Sequence, residues 1–376
     1  MDDEARATGL DPARERAFRE PRAEIRATRD RGAPLHPRLD GGGHGTDLYG
    51  PTYAALDLGT NNCRLLVARA THDGFRVIDA FSRIIRLGEG ITASGRLGEP
   101  AIERAVEALK ICRDKMRNRG VTRARLIATE ACRRAENGVA FLSRVRDQVG
   151  LDLEVVDRET EALLAATGCT PLIDPQADGA VLFDIGGGSS EIVRLGHPEA
   201  ARHGPPAPAM RDWISLPVGV VTLAERHGGI VVTPDIFEAM IAEVAGHIAP
   251  FAAAQSGHDP LRVHLLGTSG TVTTIAGVHL ALRRYDRRRV DGSWMSDSEI
   301  TGVMRRLLAM SYDERAANPC IGFERADLVL AGCAILEAIR RTFPCTRLRI
   351  ADRGLREGML VQMMRDDRIW AEGHSQ

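Results

Sequence analysis

The 376-residue sequence has no Cys-x-x-Cys pair. Its seven cysteines are odd in number and scattered among apolar neighbours, which argues against both a zinc knuckle and a disulfide framework. They are expected to be reduced core residues of a cytoplasmic protein. No apolar run approaches the ~20 residues of a membrane span, and no signal-peptide hydrophobic region follows the first residues; no membrane contact is expected. A net charge of −1 supplies no global basic field for nucleic acid. No His/Asp/Cys cluster has metal-site spacing, so His264 and His279 are expected to be structural.

What is present is the composition of a globular protein: 44% hydrophobic and 27% charged residues, over a length that suits two domains. Residues 1–50 are rich in Arg, Asp, Glu, Gly and Pro and bury too little surface to offset ordering entropy, so a disordered charged tail is expected there. From Tyr53 strands and helices alternate, which predicts a two-lobed α/β fold with lobes over 51–175 and 176–376. The final helix is expected to pack back on the first lobe. Strands are predicted at 53–58, 64–70, 75–84, 181–185, 190–195 and 262–266, with "RARLIATEA", "LDLEVVD" and "RLRIAD" as further strands. Helices are predicted over 99–120, 138–150, near 235–255, 296–310 and 325–341, and from Glu159, where Asp157 is the expected N-cap.

Two stretches share one grammar. "YAALDLGTNNCRLLVAR" and "VLFDIGGGSSEIVR" each run apolar strand, Asp-x-Gly, small residues, second strand. Gly59, Gly186, Gly187 and Gly188 permit positive φ and remove the Cβ, so that N–H groups can converge on an anion. Thr60, Asn61, Asn62, Ser189 and Ser190 add donors. Asp57 and Asp184 would repel a bare phosphate, so they imply a cation between carboxylate and phosphate, most simply Mg²⁺. Either loop alone reads as an ordinary hairpin turn. Two matched copies, a third turn from Gly267 to Gly270, and Gly219 ending a strand in "SLPVGVVTL" point to a phosphate clamp.

These turns resemble those of the sugar kinase, Hsp70 and actin superfamily. "ALDLGTNNCRLLVA", "ATEACRRAENG", "FDIGGGSSEIV", "SLPVGVVTL", "GTSGTVTTIAG", "ERADLVLAGCAIL" and "DRGLREGML" resemble, in order, the exopolyphosphatase/guanosine pentaphosphate phosphohydrolase (Ppx/GppA) family over about residues 52–367. The resemblance implies an actin-like ATPase (ribonuclease H-like) fold in two lobes around a cleft. It implies Mg²⁺-dependent hydrolysis of a terminal phosphoanhydride by water, with K⁺ as a possible monovalent cofactor. The substrate would be polyphosphate or guanosine pentaphosphate, and a homodimer is expected by analogy. A non-catalytic nucleotide-binding regulator is the reading from another class.

The resemblance makes Glu161 the catalytic glutamate, with Glu159 and Glu130 as further acids. Alone, Glu159 and Glu161 would complement a helix dipole, and Glu130 would pair with Arg133 or Arg134. The family usually has Arg where this chain has Leu163. Arg64 and Arg133 could reach phosphate, and "ALRRYDRRRVDG" offers Arg287, Arg288 and Arg289 as a polyanion track. Arg325, Arg356 and Glu357 are expected at helix ends and interlobe ion pairs, and Cys63 as core filler.

Overall fold

A computed structural model describes residues 50–198, 203–254 and 262–370. The tail expected over 1–50 lies outside these residues except at its last position. The first sheet holds β1 (Thr52–Leu58), β2 (Asn62–Thr71), β3 (Gly74–Ile84), β4 (Arg123–Ala128) and β5 (Glu154–Val155) in the order β3-β2-β1-β4-β5. The second holds β6 (Gly179–Ile185), β7 (Ser190–Gly196), β8 (Met210–Leu216), β9 (Val263–Thr268), β10 (Trp294–Ser296) and β11 (Arg347–Ala351) in the order β10-β11-β9-β6-β7-β8. Without the antiparallel edge strand β10, the second order repeats the first. In each sheet the first three strands form an antiparallel meander and the next two run parallel to its first strand.

Central strands buried on both faces explain the near-continuous apolar runs of the sequence. One face of the first sheet packs Leu56, Leu65 and Val67 against Ile102 and Leu109 of helix Glu99–Asn118 and Phe141 and Val145 of helix Gly138–Val149. The other face packs Tyr53, Ala55 and Ile127 on Leu164 and on Met359, Leu360 and Met363 of the last helix, Leu355–Asp366. Helix Arg158–Cys169 also turns Ala162, Ala166 and Cys169 onto Leu182, Val193 and Leu266 of the second sheet. It therefore sits between the two sheets. Gly168 and Gly358 let these two helices touch: a Cβ on either would enter the backbone of the other helix or its entry turn.

Several boundaries differ from the sequence expectation. The strand expected over "RARLIATEA" ends at Ala128, and Glu130–Arg134 is a short helix. "LDLEVVD" pairs only through Glu154–Val155. Helix Pro234–Ala253 has the length and hydropathy of a membrane span, which the sequence reading missed. Its Phe237, Met240, Val244 and Ile248 pack in the core of the second lobe, and Glu243 pairs with His227.

Candidate functional site

The two Asp-x-Gly turns are copies in detail. In the first hairpin Asp57 faces Arg64 across the strands, and in the second Asp184 faces Glu191. Gly59 N–H donates to Asn62 O at 2.9 Å, and Gly186 N–H donates to Ser189 O at 3.0 Å. None of these loop glycines has positive φ. The glycines serve proximity instead, because the turns meet face to face. A Cβ on Gly187 would stand 2.9 Å from Thr60 Cβ, and one on Gly188 2.8 Å from Thr60 Oγ1. Gly219, expected at a strand end, lies at the N-cap of helix Val220–His227, and its missing Cβ lets that helix abut Gly186 and Gly187.

Between the turns lies a cleft of about 600 Å³. Asp57, Glu161, Asp184 and Glu191 all line it. Burial raises the Asp184 carboxyl to about 6, with Asp57 adding repulsion. Burial likewise raises Asp57. Glu191 is raised by burial and by Asp184, and Glu161 by burial and by Glu191. Ser215 Oγ donates to Glu191 Oε1 at 2.9 Å and orients it. Carboxylates this close share protons unless a cation joins them.

Arg64, Arg325 and Arg356 line the same cleft. Among the described residues none of the three has a carboxylate at ion-pair distance. Burial depresses Arg325 and Arg356, and the charge of Arg64 depresses both further. Three guanidiniums in one cleft, two of them repelled by the third, are suited to an incoming polyanion. The third turn adds main-chain donors. Ser269 has φ +80°, a strained value for a non-glycine residue, and opens helix Ser269–His279 without a side-chain cap. The free first-turn N–H groups beside Gly270 and Thr271 face the cleft and favour negative charge.

Helix Arg158–Cys169 places Glu161. Asp157 caps it by accepting from Thr160 N–H at 2.7 Å, as expected from the sequence. Glu161 projects into the cleft and accepts from Arg133 Nη2 at 3.1 Å. Glu130 lines the cleft wall with both carboxylate oxygens held by guanidiniums, from Arg133 and Arg158. Leu163 does not line the cleft; the guanidinium on Glu161 comes from Arg133 instead.

Other sequence candidates lie elsewhere. Glu159 is exposed and outside the cleft lining, because it points from the opposite side of the first helical turn. Gly267 lies inside β9, where an added Cβ would stand 2.6 Å from the Phe183 ring; the helix opens two residues later, at Ser269. Arg288 and Arg289 are exposed and outside the lining. Arg287 lines the cleft but pairs with Glu357 at 2.9 Å and with Asp352. Glu357 keeps a helix-end role by accepting from Gly354 N–H at 2.9 Å, whereas Arg325 and Arg356 leave the ion pairs expected of them and join the cleft. Cys63 is buried core, with its Sγ 3.9 Å from Cys112 Sγ. Sequence reasoning missed Glu191. Its signal was the seven-residue spacing from Asp184, the same as that from Asp57 to Arg64.

The donor set suits Mg²⁺. Asp57 and Asp184 stand on equivalent strand ends, and the Oδ1 atoms of Asn61 and Asn62 are buried without partners. Among the described residues no three His, Cys, Asp or Glu side chains form a closed metal cage. That pattern fits an ion that keeps several waters and shares substrate oxygens.

Comparison with known proteins shows which family the chain is similar to. Over 305 residues the chain is 30% identical to exopolyphosphatase 2 of Mycobacterium tuberculosis, covering 77% of this chain and 89% of that protein. It is 27% identical over 328 residues to a guanosine-5'-triphosphate,3'-diphosphate pyrophosphatase of Photobacterium profundum. That match covers 84% of this chain and only 59% of the relative. The crystal structure of the Aquifex aeolicus Ppx/GppA family member superposes with a TM-score of 0.68 at 28% identity, over 84% of this chain and 98% of that one. An exopolyphosphatase structure from Cytophaga hutchinsonii gives a TM-score of 0.75 at 24% identity, over 84% and 98%, a likeness of fold. The family model for Ppx/GppA phosphatases matches residues 66–367, and the chain belongs to the Ppx/GppA phosphatase family.

Proposed function

We propose that the chain is an exopolyphosphatase, which hydrolyses the terminal phosphoanhydride of inorganic polyphosphate and releases orthophosphate. The observation that carries this reading is the set of unpaired arginines, Arg64, Arg325 and Arg356, facing buried carboxylates across one cleft. The arginines and the first-turn N–H groups of helix Ser269–His279 would bind phosphoryl oxygens. Glu191 and Glu161 would orient a water on the terminal phosphorus and take its proton as the O–P bond to the shortened chain breaks. Glu191 is raised to about 7, near the operating pH, as a general base requires; burial and Glu191 raise Glu161 in the same direction. Asp57 and Asp184 would hold Mg²⁺, which would neutralise charge on the transferring phosphoryl.

The Photobacterium relative favours a second reading, removal of the terminal phosphate of guanosine pentaphosphate. Phosphate release from long-chain polyphosphate and from guanosine pentaphosphate, each with Mg²⁺, separates the two. Faster turnover of polyphosphate is expected, and release from the nucleotide alone would replace the first reading with the second.

A further inference from the structure

Glu130 is 1% exposed and sits between two cations. Arg133 donates to its Oε2 from Nε at 3.0 Å and from Nη2 at 2.6 Å. Arg158 donates to its Oε1 from Nη2 at 3.0 Å. The Arg133 nitrogen that makes the 2.6 Å contact is also the one 3.1 Å from Glu161 Oε2. That nitrogen carries two hydrogens and donates to both carboxylates, with the shorter bond to Glu130. A carboxylate and a guanidinium prefer a two-pronged pairing. Both Arg133 nitrogens stand on the one oxygen Oε2 while Arg158 holds Oε1, which keeps Arg133 from spreading over both oxygens; Arg133 Nη1 is separately held by Val156 O at 2.5 Å. Arg158 stands three residues before Glu161 on the same helix, so both project from one face. The Asp157 cap fixes the register of that first turn.

We propose that Arg158 is a positioning residue: by occupying Glu130 it leaves Arg133 Nη2 on Glu161 and so sets the aim of the Glu161 carboxylate. The inference rests on the hydrolase reading for its kinetic consequence, but not for its geometry. It also gives Glu130 a holding role in place of proton transfer. Arg158 is 39% exposed at its side chain, so R158Q should fold.

The test uses the full chain with R158Q, E130Q and the double variant. R158Q should lower kcat for polyphosphate ~10-fold, the scale of a small misplacement in an active site, with KM nearly constant. E130Q, which removes the Glu130 charge, should cost less. The double variant should regain the E130Q rate, because Arg158 then has nothing to restrain. A double variant no faster than R158Q, or a loss seen in KM instead of kcat, would overturn the proposal. Crystal structures give a second arm that needs no activity. In R158Q, Arg133 Nη2 should leave Glu161 and move to Glu130 Oε1, with Nε staying on Oε2; an unchanged Arg133–Glu161 contact would overturn it. If the unmodified chain released phosphate from neither substrate, the hydrolase reading would fall, and the crystal arm would still decide the clamp.

Discussion

The two hairpin turns share a backbone and differ in what they carry. Residues 57–64 and 184–191 correspond in order: Asp matches Asp, and one glycine matches the next. Thr60 then stands where the other turn has Gly187, Asn61 where it has Gly188, and Arg64 where it has Glu191. The first turn has side chains and the second has the space they need, so the lobes close as knob and hole. At the strand end the difference is charge. The first hairpin offers a cation to the cleft, and the second a carboxylate raised toward neutrality. On the proposed reading, one copy of the scaffold would hold an anion and the other would handle a proton. The shared part, the aspartates, is where a cation would bridge the halves.

The comparison can be broken most severely at Glu191. E191Q keeps the shape and removes the base; kcat should fall ~10²–10⁴-fold, the usual worth of a general base, with KM little changed in steady-state phosphate-release assays. A matching loss in E161Q would show that the two acids act as a unit. At the equivalent position in the other half, R64A should act mainly on binding. Loss of a charge-assisted hydrogen bond of ~1.5–3 kcal/mol should raise KM by about 10-fold or more, with the smaller change in kcat. If R64A lowered kcat alone, the division of labour between the halves would be wrong.

Knob and hole can be tested with G187A. The added methyl must displace Thr60, 2.9 Å away, or the Asn61 amide at 3.1 Å, so the turns should part. Activity should fall about 10-fold by misalignment, while T60G, which removes the Cβ that is struck, should recover part of it in the same background. The aspartates make a prediction about metal. Their protonated forms are favoured by burial, Asp184 up to about 6, so protons and Mg²⁺ compete. Mg²⁺ should raise Tm at pH 8 and do so less at pH 5, read by differential scanning fluorimetry.

The smallest effect is a difference in acid sensitivity between the lobes. His264 in β9 accepts from Asp174 N–H at 3.1 Å through Nε2, and its Nδ1 lies 2.9 Å from Leu265 O. Burial lowers its value below the usual 6.5, so the folded state prefers neutral imidazole. That contribution is complete above pH 6.5 and is lost as pH falls through the unfolded value toward the folded one. Protection of β9 amides, relative to their intrinsic exchange at each pH, should fall on acidification below about pH 6, and H264Q should flatten the response.

Much of this architecture is legible in the amino-acid sequence itself. The Asp-x-Gly grammar locates both turns, and alternating strand and helix patterns locate the halves. The Asp157 cap locates the helix that carries Glu161. What escaped had physical reasons. Glu191 sits in a strand buried on both faces, where an acid between apolar residues gives no periodic signal; only the hairpin register places it opposite Asp184. Arg64, Arg325 and Arg356 are far apart in the chain and meet only because the last helix and the 323–325 turn both reach the cleft. Gly267 reads as loop because nothing in the sequence shows that Phe183 needs its space. The arginine run at 287–289 advertises a track, yet Arg287 is paired and its two neighbours face outward.

The most direct measurement is orthophosphate release from long-chain polyphosphate with Mg²⁺, by the unmodified chain beside E191Q and R64A. The account predicts release that E191Q abolishes at saturating substrate and that recovers in R64A as substrate is raised. Release unaffected by E191Q, or equal losses of kcat in both variants, would contradict the division of roles between the two turns.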